Sequence, residues 1–228
     1  MLTKSHAFTQ AKDFAKHFNC TEQWLNCLRR VDSQSINTHT TLWPRAIVET
    51  EFLPLMPQNA FQTKNFSAGI DIIAGVMQNE GSSLAPHPGS EQLKTVEDFK
   101  ALIKRTPFPA IDVEKVTEFY LKGVDTHNPK HLTKAFYDYY GDVYITCPSY
   151  HFAKQFAQNT ATNAFFYEWT YISSDLKSHP SCTEVMGVCH GSDVGYVFGS
   201  PLLHNSSETD KKFSAQVMTI WTEFVKTG

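Results

Sequence analysis

The sequence lacks several features that would have set its class at once. No run of apolar residues approaches the roughly 20 that a membrane-spanning helix needs. The richest short stretch, Gly69 to Met77, is interrupted by Asp71, so no spanning segment is expected. Neither sign of charge dominates: 20 Lys and Arg stand against 23 Asp and Glu, a net of −3, with no long run of either. That removes the electrostatic case for a nucleic-acid partner or an anionic membrane surface. None of the five cysteines forms a Cys-x-x-Cys pair with His partners, so no metal or other cofactor is expected. No internal repeat or low-complexity tract is present, and strand signals are few. What remains is a chain of 228 residues, 41% hydrophobic and only 19% charged, a balance that excludes disordered and collagen-like classes. Its 17 Phe point to a bulky core rather than a Leu-rich one.

Cysteines and sequons bear on compartment. Three acceptor triplets occur, Asn19-Cys20-Thr21, Asn65-Phe66-Ser67 and Asn205-Ser206-Ser207. Each is a weak signal alone, but together with the cysteines they favour a secreted, glycosylated chain. Yet the first residues carry Lys4, Lys12 and Lys16 without an apolar segment, so no signal peptide is read there. Secreted composition without a secretion signal predicts a piece of something longer.

Helix signals dominate the rest. Phe8, Ala11, Ala15 and Phe18 share one face of a helix over 5–18. Thr95 with Asp98 three residues on, Asp112, and Asn128 before Pro129 each mark a helix start. Ser149 is read as the cap of a helix carrying Phe152, Ala153, Phe156 and Ala157. A last helix over 207–226 should bury Phe213, Val217, Ile220, Trp221 and Phe224. Two segments read as buried strands, 70–75 and 163–171, the second with Phe165, Tyr167, Trp169 and Tyr171 on one face. Strands joined by long helical crossovers are the pattern of an α/β sheet. Two or three strands cannot cover six amphipathic helices, so partner strands should be missing.

Two segments could carry chemistry. Gly75-Val76-Met77-Gln78-Asn79-Glu80-Gly81 puts a carboxylate just past the carboxyl end of a strand, where open α/β sheets place functional residues. Met186-Gly187-Val188-Cys189-His190-Gly191 sets a His between small residues that let it project from a tight turn. From the residues alone Glu80 reads equally as a turn acid, and His190 as one surface histidine among ten.

Taken together the two segments resemble the type-B carboxylesterase and cholinesterase family. The first is similar to its Gly-x-Asn-x-x-Glu-Gly acid segment, with Met77 at the Asn position. The second, continued as Gly187-Val188-Cys189-His190-Gly191 to Val197-Phe198-Gly199-Ser200-Pro201-Leu202, is similar to its Gly-Val-x-His-Gly…Val-Phe-Gly-x-Pro-Leu segment. Cys20 to Cys27-Leu28-Arg29, Trp43-Pro44 to Pro54, Asp142 to Ala157, and Trp221 to Gly228 extend the resemblance over about residues 5–228, in the family's order.

The resemblance implies an α/β-hydrolase fold and a Ser-Glu-His triad in that chain order, with Glu80 as the acid and His190 as the base. The Gly-x-Ser-x-Gly of the nucleophile is absent: none of Ser67, Ser82, Ser83, Ser149 and Ser192 has both flanking glycines. The glycine-rich oxyanion segment is absent too. Residues 1–228 would therefore be the C-terminal part of a type-B carboxylesterase domain, an incomplete fold inactive by itself. The implied substrate of the whole protein is a small-molecule carboxylic ester, and the final helix is where two copies could pair. The family pattern also implies a Cys20–Cys27 disulfide and a partner for Cys147 past Gly228. Cys189 stays open between buried small residue, partner of Cys182 and reactive thiol. The alternative is a catalytically silent adhesion module of the neuroligin or glutactin kind. Retention of both Glu80 and His190 favours the enzyme, because a silent module has less physical need of the pair.

Overall fold

A computed structural model of the chain describes residues 1–38, 45–67, 69–85, 93–106, 111–159, 161–173, 182 and 186–228. The Trp43-Pro44 pair of the resemblance lies outside them. The chain forms two compact units, Met1–Ser67 and Ala68–Gly228.

In the first unit α1 (Lys4–Lys16) starts at Thr3, whose hydroxyl accepts from the His6 amide. Short helices α2 (Trp24–Leu28), α3 (Ser33–Thr38) and α4 (Pro57–Gln62) follow. Phe14 and Ala15 are buried, but Phe8, expected on the buried face of α1, is exposed. Burial is confined to the last turn of α1, where the Cys20–Cys27 disulfide (Cα–Cα 5.6 Å) folds α2 back towards it. A single parallel bridge joins Leu2 to Ile47, beside buried Val48.

The second unit holds a two-stranded parallel sheet, β1 (Ile72–Met77) beside β2 (Ala164–Trp169), in register from Ile72–Ala164 to Met77–Trp169. Between the strands the chain makes α5 (Gly81–Leu84), α6 (Val96–Arg105), α7 (Val113–Leu121) and α8 (Pro129–Gly141), then a π-helical turn over Asp142–Thr146 and α9 (Cys147–Phe156). After β2 come α10 (Val194–Val197), α11 (Ser200–Leu203) and α12 (Glu208–Thr227). The period-2 alternation of β2 sends its side chains to both faces. Phe165 meets Phe224, Tyr167 meets Trp221 and Trp169 meets Phe213, all on α12, while Phe166 meets Tyr150 on α9. Helices thus cover the sheet on both sides, as parallel pairing requires.

The strands are not buried along their length, contrary to expectation. Val76, Met77 and Trp169 are buried, but Phe165 and Phe166 stay exposed. Among the described residues only two strands pair in this sheet, and the carboxyl ends are its enclosed part. Ile220 is likewise exposed on α12, where the apolar stripe is wider than the sheet beneath it.

A separate helical core gathers Phe99 and Ile103 of α6 with Leu132, Ala135, Phe136 and Tyr139 of α8. The Phe, Ile and Leu side chains among them each contribute roughly 1.5–3 kcal/mol on burial. The helix starts follow local chemistry as read: Thr95 and Asp98 form a capping box, and Asp112, Asn128 and Ser207 each accept from an amide in the first turn. Ser149 is different. It lies inside α9 rather than capping it, because α8 runs through the π-helical turn directly into α9. Pro148 has no N–H and its ring crowds the carbonyl four residues back. The turn before it widens accordingly, and the Cys147 amide bonds to the Asp142 carbonyl, five residues back.

One buried carboxylate ties α12 to the rest of the unit. Asp210 accepts from Tyr196 at 2.6 Å, Tyr171 at 2.9 Å and Ser207 at 2.6 Å. Burial is the largest single influence on its ionisation and opposes it. The hydroxyls of Ser207, Tyr196, Tyr171 and Ser173 together outweigh burial and hold the carboxyl below its usual range. A depressed folded-state pKa adds stability that is complete above the unfolded value of about 3.9 and is lost as pH falls through the folded value. Asp210→Asn should therefore lower unfolding stability by about 1–3 kcal/mol at pH 7 and flatten the acid limb of stability against pH. Urea unfolding from pH 3 to 7 reads both, and an unchanged acid limb would contradict this role.

Candidate functional site

The site forms where β1 ends. Glu80 follows the strand by three residues, and its side chain folds back so that Oε1 accepts from the Met77 amide at 2.8 Å. The other carboxylate oxygen, Oε2, lies 2.6 Å from Nδ1 of His190. An ionised carboxylate only accepts, so the proton on this contact belongs to Nδ1 and Nε2 is left as the free lone pair. Glu80 is 4% exposed and His190 is 46% exposed at the side chain. The carboxylate is thus sequestered, while the imidazole opens outward, and among the described residues Nε2 has no hydrogen-bond partner.

Glycines make this approach feasible at two points. A Cβ on Gly81 would collide with the Tyr137 carbonyl and lie 2.5 Å from the Gly141 amide nitrogen, so the backbone of α5 sits directly against that of α8. This contact fixes the chain immediately after Glu80. Within β1, a Cβ on Gly75 would enter the ring of Tyr167, its register partner. The tyrosine ring therefore lies across the strand, and its hydroxyl reaches Asp193 at 2.7 Å. Burial first, and then the Asp193 carboxylate, push the Tyr167 phenol above its usual pKa, so it stays a neutral donor to that carboxylate.

The His190 turn is shaped by Gly187 (φ +69°) and Gly191 (φ +80°), both in the left-handed region open to glycine. Past it, the Ser192 hydroxyl donates to the Cys189 carbonyl at 2.6 Å, and the chain enters α10. Before it, Cys189 is fully buried and is paired with Cys182, two of the readings that its sequence position left open. Cys147 is an exposed free thiol.

Both sequence-predicted site residues are therefore brought together. Missed in the sequence were Tyr167 and Asp193, which moor the turn three residues past His190, and Asn79, which pairs with the segment before it. A strand glycine opposite an aromatic residue was the available signal for the first pair. Among the described residues no cluster of three or more His, Cys, Asp or Glu is placed to hold a metal ion, and no helix is long and apolar enough to cross a membrane.

The arrangement suits proton transfer: an imidazole held in one tautomer by a buried carboxylate, with its basic nitrogen accessible. Gly81→Ala should displace Glu80 through the helix contact and cost about 1–3 kcal/mol of stability. A lowered urea midpoint with unchanged slope is expected, and an unchanged midpoint would show that α5 does not press on α8.

The model of the carboxylesterase family matches residues 1–228. Cholinesterase of Mus musculus is 30% identical over 239 aligned positions, covering 94% of this chain and 38% of the mouse protein. Acetylcholinesterase of Electrophorus electricus is 29% identical over 220 positions, covering 80% of this chain and 34% of the eel protein. That of Bungarus fasciatus is 26% identical over 246 positions, covering 99% and 40%. The chain spans between 34% and 40% of the length of these relatives.

Proposed function

This chain belongs to the carboxylesterase family, and from that premise we propose that its Glu80 and His190 are the acid and base of a Ser-Glu-His relay for ester hydrolysis. Residues 1–228 would be the C-terminal part of a type-B carboxylesterase domain of α/β-hydrolase fold. The two-stranded parallel sheet, covered by helices on both faces, supports that reading. The single observation that carries it is the 2.6 Å contact of His190 Nδ1 with Glu80 Oε2, which leaves Nε2 accessible.

In the proposed reaction Nε2 of His190 takes the proton of a serine hydroxyl as that oxygen attacks the ester carbonyl carbon. The serine lies in sequence outside these 228 residues. The imidazolium then gives the proton to the leaving alcohol as the bond from the acyl carbon to the alcohol oxygen breaks, leaving the acyl group on the serine. A water molecule, deprotonated by the same nitrogen, then bonds to the acyl carbon. The acyl–serine bond breaks, the proton returns from the imidazole to the serine oxygen, and the acid is released. Glu80 keeps the tautomer correct throughout and stabilises the imidazolium. In serine proteases the corresponding acid is worth about 10⁴ in rate. The substrate is a small-molecule carboxylic ester, and no cofactor takes part.

The two disulfides support an oxidising, extracellular compartment. Asn19, Asn65 and Asn205 of the three sequons are all exposed, which suits glycosylation. Exposed Ile220 and Val225 on α12 are the positions through which two copies would pair.

The test is the coding sequence upstream of Met1 and the protein it specifies. A Gly-x-Ser-x-Gly frame is expected there, and the longer protein should hydrolyse p-nitrophenyl butyrate. Glu80→Gln and His190→Gln should each lower its kcat by about 10³–10⁴, while the 228-residue chain alone gives no turnover. A glycine at the serine position, or activity indifferent to both substitutions, would contradict the proposal.

A further inference from the structure

Resting on the reading of Glu80 and His190 as acid and base, we propose that Asn79 is a positioning residue that sets His190 against Glu80. Asn79 is next to the acid in sequence, and it holds the backbone two residues before the base. Its amide donates to the Val188 carbonyl at 2.9 Å, and its side-chain Oδ1 accepts from the Val188 amide at 3.0 Å. One residue thus grips both polar backbone groups of Val188, and Asn79 and Cys189 form an isolated parallel bridge.

The environment makes the grip specific. Val188 is 1% exposed and Cys189 is fully buried, so water does not readily replace Oδ1, and without it the Val188 amide is left unpaired in the interior. Gly187, at φ +69°, presses on the Asn79 side chain where a Cβ would clash with Oδ1. The asparagine also anchors the other side: its carbonyl accepts from the Ser82 amide at 3.1 Å and from the Ser82 hydroxyl at 2.7 Å, locking the turn that carries Glu80. The Cys182–Cys189 disulfide adds a covalent tether on the His190 segment, but it joins that segment only to itself. Asn79 instead ties the Glu80 turn to the backbone of the His190 segment.

The side-chain Nδ2 has no hydrogen-bond partner among the described residues. Acceptor chemistry, and not the amide as such, is therefore what the position requires. Aspartate keeps an oxygen facing Val188, whereas leucine fills a similar volume without one.

The experiment uses the 228-residue chain labelled with ¹⁵N-histidine. The downfield Nδ1–H resonance of His190, identified by its loss in His190→Gln, reports the contact with Glu80, and urea unfolding reports global stability. Asn79→Leu should unfold cooperatively yet lose or broaden that resonance, and Asn79→Asp should retain it. A resonance in Asn79→Leu as sharp as in the parent chain overturns the proposal. Loss of the resonance in Asn79→Asp as well as in Asn79→Leu also overturns it. If Asn79→Leu fails to fold, hydrogen exchange in the unaltered chain decides: the Val188 amide should be protected about 100-fold or more relative to an unstructured amide, and exchange at the unstructured rate overturns the proposal. Glu80→Gln separates the two levels. Its loss of the resonance while Asn79→Leu keeps it removes the role of Asn79 alone. Its retention of the resonance removes the acid–base reading, and with it the proposal.

Discussion

A carboxylate as deeply buried as Glu80 has to be met by donors at its oxygens, or its ionised form is too costly to keep. In this chain those donors come from very different distances. One is the Met77 amide, three residues away, and the other is the imidazole of His190, 110 residues further along the sequence. The first is a matter of local turn geometry. The second requires β1, β2 and the intervening helices to be correctly assembled, because only then does the turn after Gly187 arrive at the carboxyl end of β1. The pairing of Glu80 with His190 is therefore a readout of the whole second unit, and most of what surrounds it restricts where the His190 turn can lie.

Those restraints come from the sheet, from α12 and from the chain's covalent links. Tyr167 crosses Gly75 to reach Asp193, so a residue of β2 spans β1 and holds the turn from the far side. Asp210 gathers Tyr171, Tyr196 and Ser207, joining the end of β2, α10 and the start of α12 around one acceptor. Aromatic rings fill the space between: Trp169, Tyr171, Tyr196 and Phe213 make mutual contacts with centroids 4.2–5.6 Å apart. Networks of this kind fix one arrangement because each hydroxyl has a defined partner, whereas apolar packing alone tolerates small slips. Exposed Phe165 and Phe166 lie towards the amino-terminal end of β2, away from the enclosed carboxyl ends of the strands.

Local chemistry was legible in the sequence, and long-range geometry was legible only in part. Thr95, Asp112, Asn128 and Ser207 start helices because a side-chain acceptor within three residues decides the matter. The wide turn before Pro148 escaped the same logic, since Ser149 is an adequate cap in isolation and only the continuity of α8 into α9 rules it out. Periodicity placed Phe8 and Ile220 on apolar faces, but a period says nothing about whether a partner covers the far end of the face. Glu80 and His190 looked ordinary by spacing. They stood out through the motifs around them, and no spacing rule announces that Asn79 will grip Val188 or that Cys182 will pair with Cys189.

The most direct measurement is a double-mutant cycle on unfolding free energy in the 228-residue chain, using Glu80→Gln, His190→Gln and the pair together, at a pH where the imidazole is protonated. A charge-assisted contact with one partner buried predicts a coupling of about 1 kcal/mol or more. Additive effects, with coupling indistinguishable from zero, would mean that the two side chains do not meet in solution.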